Sequence, residues 1–244
     1  IMLNRFLRRT RRLTAKALAA ANLPRPPRRP EVFTSGGQEY LKTYLRWYIL
    51  RGMRKAGIPA LSIALVDGQQ LVWAEGFGYA DRARRVPATP ETVYQIGSIT
   101  KVLNALAVMQ LVEQGRMDLD RPITDYLPEF SMRTRWPEAA PITPRALLCH
   151  HAGLPTYLLK GFFSDRPLAG LLHELRDEHL AFEPHTVFVY SNLGSDLLGL
   201  AVERITGLPY AEAVRRQLLA PLGMHSTGVT PDDARLARGY VHDA

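Results

Sequence analysis

Two short segments of the chain combine side chains suited to moving an acyl group. Gly97-Ser98-Ile99-Thr100-Lys101 sets a hydroxyl and an amine three residues apart. At helical spacing, positions i and i+3 share a face, so Ser98 and Lys101 can meet. As a plain helix start the segment is poor. A capping Ser98 would prefer Glu or Gln three residues on, whereas Lys101 opposes the helix macrodipole at a cost of about 0.3–1 kcal/mol. A cation in the first turn of an apolar helix points to function more than to stability. Desolvation and the positive helix end favour the uncharged, proton-accepting amine, and the same helix end favours an oxyanion formed as Ser98 is acylated. Ser-x-x-Lys is only four residues long and is weak by itself. The second segment is Tyr190-Ser191-Asn192. Its ordinary reading is a helix N-cap preceded by a buried aromatic ring. Its functional reading needs a phenol, normally of pKa about 10, lowered by neighbouring cations until it can take a proton from serine. Lys101 would be one such cation. Tyr157, just past Pro155, fits a cleft wall and ordinary loop packing equally well.

Several elements must position these side chains. Residues 39–56 read as a helix with Tyr40, Leu41, Tyr44, Leu45, Tyr48 and Ile49 on an apolar stripe. Leu61–Val66 and Leu71–Trp73 flank Asp67-Gly68, a hairpin signal, and Gly76 and Gly78 are expected to end the second strand. Residues 100–115 are helical and apolar on most sides, so this helix should be buried. Thr143-Pro144 opens a helix that Gly153 closes. Further helices are expected over 193–205, with Gly207 behind, and over 209–219. A lone hairpin is marginal in water and leaves an unpaired edge. Either it packs on a helix alone or its sheet partners lie outside this sequence.

Composition bounds the partners. The 244 residues are 46% hydrophobic and 22% charged, which describes an ordinary globular protein of one large domain or two small ones. The single cysteine, Cys149, cannot close an internal disulfide or build a Cys-rich zinc site. No apolar stretch reaches the ~20 residues that span a bilayer. The net charge of +8 is concentrated in residues 1–30, which hold nine Lys or Arg and no acid; the remainder carries 22 basic and 23 acidic side chains. The chain is therefore read as a basic Arg/Pro-rich extension, 1–30, and a nearly neutral domain, 31–244. Nucleic acid is not the expected partner. The extension is read as solvated, with surface association through its charge as the rival.

The two segments belong to a longer pattern. Gly57-Ile58-Pro59-Ala60-Leu61-Ser62 with Trp73-Ala74-Glu75-Gly76-Phe77-Gly78-Tyr79-Ala80-Asp81, then Ile96-Gly97-Ser98-Ile99-Thr100-Lys101, Leu147-Leu148-Cys149-His150-His151-Ala152-Gly153-Leu154-Pro155, Tyr190-Ser191-Asn192 and Leu218-Leu219-Ala220-Pro221-Leu222-Gly223-Met224 follow in order. Together they resemble the serine β-lactamase and penicillin-binding superfamily, in its branch of class C β-lactamases, D-alanyl-D-alanine carboxypeptidases and esterases. The resemblance covers about residues 32–227. It implies a mixed α/β (α+β) fold, with an antiparallel sheet flanked by helices, an inserted helical subdomain, and Ser98 in the cleft. It implies a serine hydrolase working through an acyl-enzyme on a small ester, a β-lactam or a D-Ala-type peptide, with no cofactor and no metal. Ser98 would be the nucleophile, Lys101 and Tyr190 would share proton transfer, and Asn192 would hold the substrate amide or orient Lys101. The Ser98 amide would be half of an oxyanion hole, and Tyr157 would line the substrate site.

The sequence departs from that pattern in three places. The third motif, Lys or His followed by Ser/Thr and Gly on a late strand, is not found, so the chain is expected to be a piece of a longer enzyme and weak or inactive alone. Pro184-His185 stands where Pro-Gly is usual, and Ala152 replaces a common Ser. His150, His151 and His185 raise a metal reading, but adjacent helical side chains diverge by about 100°, and a helix-end histidine bonded to carbonyls is preferred. No Gly-x-Ser-x-Gly elbow encloses any serine. The rival to the enzyme is a non-catalytic homologue that binds a ligand or partner on the same fold.

Overall fold

A computed structural model describes residues 27–28, 37–157, 169–229 and 234–240, so nearly all of the basic extension lies outside the described residues. The chain divides into two units, one of Ile1–Tyr94 with Asp233–Ala244 and one of Gln95–Asp232. The second, helical unit is thus inserted in sequence into the first, which holds an antiparallel sheet.

In the first unit, helix α1 (Gly37–Ala56) precedes strands β1 (Ala60–Asp67), β2 (Gln70–Asp81) and β3 (Val86–Pro87), which pair in the order β1-β2-β3. Leu45, Ile49 and Met53, at i, i+4 and i+8, pack α1 onto Trp73, Phe77, Leu61, Ile63 and Leu65 of the hairpin. A sheet of this size needs such a cover to persist in water. The expected stripe is narrower than the sequence implies. Tyr40, Tyr44 and Tyr48 stack on one another, 6.1 and 6.4 Å apart, and Tyr48 is 60% exposed.

The hairpin turns on Gly68 and Gln69, both left-handed at φ 52° and 65°, with Asp67 paired to Gln70. That is the paired positive-φ loop that matches strand twist. Gly76 and Gly78 do not end β2, which continues to Asp81. Their lack of a side chain serves close backbone approach instead: a Cβ on Gly76 would lie 2.2 Å from the Ala88 carbonyl oxygen, and one on Gly78 2.1 Å from that of Pro59.

In the second unit, a 3-10 turn (Gly97–Ile99) runs into α2 (Thr100–Glu113), followed by α3 (Pro144–Leu148), α4 (Ala169–Leu175), α5 (Asn192–Thr206) and α6 (Tyr210–Val214), which continues as a π-helical turn over Arg215–Leu219. Val108, Leu111, Leu147, Leu175, Leu197 and Val202 meet in one core without solvent contact beyond a trace. Helix α2, expected to be buried, is buried on one face only. Asn104, Ala107, Val108 and Leu111 are buried, but Val102, Leu106 and Met109 are 59%, 44% and 45% exposed. An apolar composition on most sides does not say which face finds a partner, and here only one does within the described residues.

Capping decides the other boundaries. Thr143 accepts the Ala146 N–H at 3.2 Å and Pro144 follows at the first helical position. The helix ends at Leu148, well before Gly153, and the left-handed residue that follows is His150, at φ 60°. Gly153, at φ 70°, is needed for a different reason: its added Cβ would lie 2.2 Å from the Phe182 carbonyl oxygen. Helix α5 is capped by Ser191, whose Oγ accepts the Gly194 N–H at 3.2 Å, and closed by left-handed Gly207. No helix among the described residues is long and apolar enough to cross a membrane.

Candidate active site

The start of α2 lacks a side-chain cap. Ser98 sits in the 3-10 turn after left-handed Gly97 (φ 52°), and its hydroxyl is engaged across the unit. Tyr190 donates its hydroxyl to Ser98 Oγ at 2.6 Å, and Lys101 Nζ donates to the same oxygen at 3.3 Å. The local i, i+3 pair expected from sequence is therefore formed, and the long-range partner 92 residues on has joined it.

Ser191 takes the capping duty at the start of α5, which leaves the first helical residue, Asn192, to face α2. Its Oδ1 accepts from Lys101 Nζ at 2.5 Å, and its backbone N–H donates to the Thr156 carbonyl at 3.1 Å. Lys101 Nζ also lies 4.8 Å from the Tyr190 ring centroid, within cation–π range. The phenol is held below its ordinary pKa, first by hydrogen bonding with Lys101 and then with Ser98; Lys101's charge adds to this and desolvation opposes it. At 2.6 Å a proton can pass between the phenol and serine oxygens in either direction. The cluster can therefore deprotonate an alcohol whose oxygen Lys101 also contacts.

One turn below, a second rung ties the same two helices. Asn104, i+3 from Lys101, donates from Nδ2 to Ser195 O at 2.8 Å and to Ser195 Oγ at 3.1 Å; Ser195 is i+3 from Asn192. Asn104 is buried. It lines a small cavity of about 50 Å³ with Lys101, His150, Ser195, Leu147 and Leu198, among others. Asp196, the next residue on α5, has its carboxyl pushed up by burial, against the opposing pull of Lys101.

Against known proteins, residues 45–243 match the family model described as Beta-lactamase. The chain belongs to the beta-lactamase family. Among curated relatives it is 35% identical over 209 residues to Esterase EstB of Burkholderia gladioli, covering 80% of this chain and 52% of the esterase. It superposes on the octameric penicillin-binding protein homologue from Pyrococcus abyssi with a TM-score of 0.70 at 32% identity, covering 82% of this chain and 48% of the homologue. On the D-amino acid amidase from Ochrobactrum anthropi the TM-score is 0.66 at 32% identity, covering 81% of this chain and 56% of the amidase. The chain thus spans about half the length of these relatives. The fold expected from sequence, a mixed α/β arrangement with an antiparallel sheet and helices, is that of the family.

Within this beta-lactamase-family chain, Ser98, Lys101 and Tyr190 touch one another, and Asn192 joins them through Lys101. Tyr157 is 44% exposed and does not line the cavity beside Lys101; its chain neighbour Thr156 is the residue that anchors Asn192. The histidines are engaged separately. His150 Nδ1 accepts the Ser191 N–H at 3.2 Å, His151 Nδ1 lies 2.8 Å from the Cys149 carbonyl, and His185 Nε2 lies 2.9 Å from that of Pro141. His185, in place of the family's usual glycine, is itself left-handed at φ 68° and donates its N–H to the His151 carbonyl at 2.7 Å. The turn keeps the conformation that glycine would adopt most readily. Asn104 and Thr156 are not singled out by the sequence. The one available signal is a polar residue in the apolar run of α2, one turn beyond Lys101.

Proposed function

We propose that this chain carries the acylating centre of a serine hydrolase. Ser98 Oγ attacks the carbonyl carbon of a small acyl donor as its proton passes to Tyr190. Lys101, bonded to Asn192 and set against the Tyr190 ring, holds the phenolate form that receives the proton. The Ser98 backbone amide faces the oxyanion. Tyr190 then returns the proton to the departing alcohol or amine, leaving an acyl group on Ser98, and water releases that group with the same proton path run in reverse. The observation that carries this reading is the 2.6 Å contact between Tyr190 and Ser98, with Lys101 bonded to the same serine oxygen. Asn192 is assigned to orient Lys101 and to meet a polar group of the substrate.

Among acyl donors, a small ester is favoured over a β-lactam or a D-Ala-type peptide, because the 35% identical relative is an esterase. The amidase relative at 32% identity keeps amides as the second class. The test is covalent labelling of the folded chain with a fluorophosphonate and with a fluorescent penicillin, followed by turnover of p-nitrophenyl esters and nitrocefin. The expected result is one label on Ser98, lost in Ser98→Ala, with esters turned over faster than nitrocefin. A folded chain that takes no label, alone or joined to a segment carrying the third motif, would overturn the reading in favour of a non-catalytic binding homologue.

A further inference from the structure

His150 occupies a position that a capping role alone would give to glycine. It follows α3 in the left-handed region at φ 60°, where glycine meets no steric penalty. A non-glycine residue at such a backbone site directs attention to what its side chain contacts.

Its contacts converge on one residue. The His150 carbonyl accepts the Val189 N–H at 2.8 Å, and its Nδ1 accepts the Ser191 N–H at 3.2 Å. These two amides flank Tyr190, so a single residue clamps the chain on both sides of the phenol. The imidazole also lies against the Tyr190 ring, with centroids 4.6 Å apart and planes at 43°, and meets the edge of Phe188 at 5.7 Å and 87°. Two backbone anchors and one ring face leave Tyr190 little freedom to swing away from Ser98.

We infer that His150 is a positioning residue for Tyr190, acting as a neutral imidazole whose Nδ1 is kept as an acceptor by the Ser191 amide. This rests on the proposed role of Tyr190 as the proton acceptor for Ser98. Only the tautomer protonated on Nε2 can make the Ser191 bond. The titratable groups around the ring are Lys101, His151 and Tyr190 itself. Burial first, and then the charges of Lys101 and His151, hold His150 below the ordinary histidine range, in keeping with a neutral ring at pH 7. Protonation would put a second donor against the Ser191 N–H and release one side of the clamp.

The decisive variants are His150→Gly and His150→Asn. Glycine relaxes the backbone but removes both the acceptor and the ring. Asparagine tolerates the left-handed region and places its Oδ1 near the site of Nδ1. Acylation of Ser98 by p-nitrophenyl acetate should fall roughly ten- to a hundred-fold in His150→Gly, with the loss in the rate constant rather than in ester binding and with Tm kept within a few degrees. His150→Asn should recover most of it. Two further measurements do not need turnover. Nitrogen-15 NMR of labelled histidine should show His150 protonated on Nε2 alone at neutral pH. The ultraviolet titration of Tyr190, isolated by difference against Tyr190→Phe, should move to higher pH in His150→Gly. An unlabelled wild-type chain that still shows this titration shift would count against the hydrolase while leaving the clamp standing. A His150→Gly chain that acylates at the wild-type rate, an Nδ1-protonated His150, or an unmoved Tyr190 titration would overturn the inference.

Discussion

Each residue of the candidate site has a separable task, and the tasks differ in how far they can be read from the chain. The Ser98–Lys101 pair is set by helical spacing alone, so it is legible in four residues. The Tyr190–Ser98 contact joins positions 92 apart; spacing says nothing about it, and only the resemblance to a known pattern brings the two segments together. The clamp by His150 is not legible at all, because it depends on a left-handed backbone and a ring contact across 40 residues. The electrostatics give a signed prediction. Lys101 lowers the pKa of Tyr190, and the phenolate is the form that accepts the serine proton. Acylation should therefore rise with pH through that lowered value and level off below pH of about 10. Replacing Lys101 by methionine should move this limb of the pH–rate profile upward, and Tyr190→Phe should remove it while lowering the rate by about 10²–10⁴-fold. A limb that stays in place without Lys101 would separate the lysine from the phenol.

At the scale of elements, capping and turn chemistry account for most of what the sequence shows, and close backbone approach accounts for most of what it hides. Asp67-Gly68 announces the hairpin, and Thr143-Pro144 and Gly207 mark helix ends where the structure places them. Gly76, Gly78 and Gly153 read as terminators in one dimension, yet in three they are points where another segment's carbonyl presses on the chain. The distinction is testable at two left-handed glycines. Gly207 has nothing within 4 Å of an added Cβ, whereas Gly153 would meet the Phe182 oxygen at 2.2 Å. Gly207→Ala should cost about 1 kcal/mol for conformation alone, and Gly153→Ala clearly more; equal urea midpoints for the two would contradict the packing. Thr143→Ala should cost about 1 kcal/mol through the lost cap. Helix α2 shows the limit of composition: an all-round apolar helix is buried on the face of Val108 and Leu111 and exposed on that of Val102 and Met109, and no periodicity in its sequence separates the two.

At the scale of the whole molecule, a sheet unit and an inserted helical unit share one chain, and the proposed chemistry lies wholly on side chains of the helical unit. Its core holds the two helices that carry Lys101 and Asn192. Leu197, on α5 just beyond Ser195, is fully buried in that core; Leu197→Ala should cost about 2–5 kcal/mol by denaturant melt. The measurement that bears most directly on the central claim is intact-protein mass spectrometry after brief exposure to a fluorophosphonate. The chain has eight serines, all chemically alike as free alcohols, and among the described residues only Ser98 is bonded to both a tyrosine hydroxyl and a lysine amine. A single adduct per chain is expected, mapped to Ser98, that vanishes in Ser98→Ala and slows in Tyr190→Phe. A folded chain that takes up no adduct even when joined to a segment carrying the third motif, or one that takes it up equally at other serines, would contradict the proposed centre.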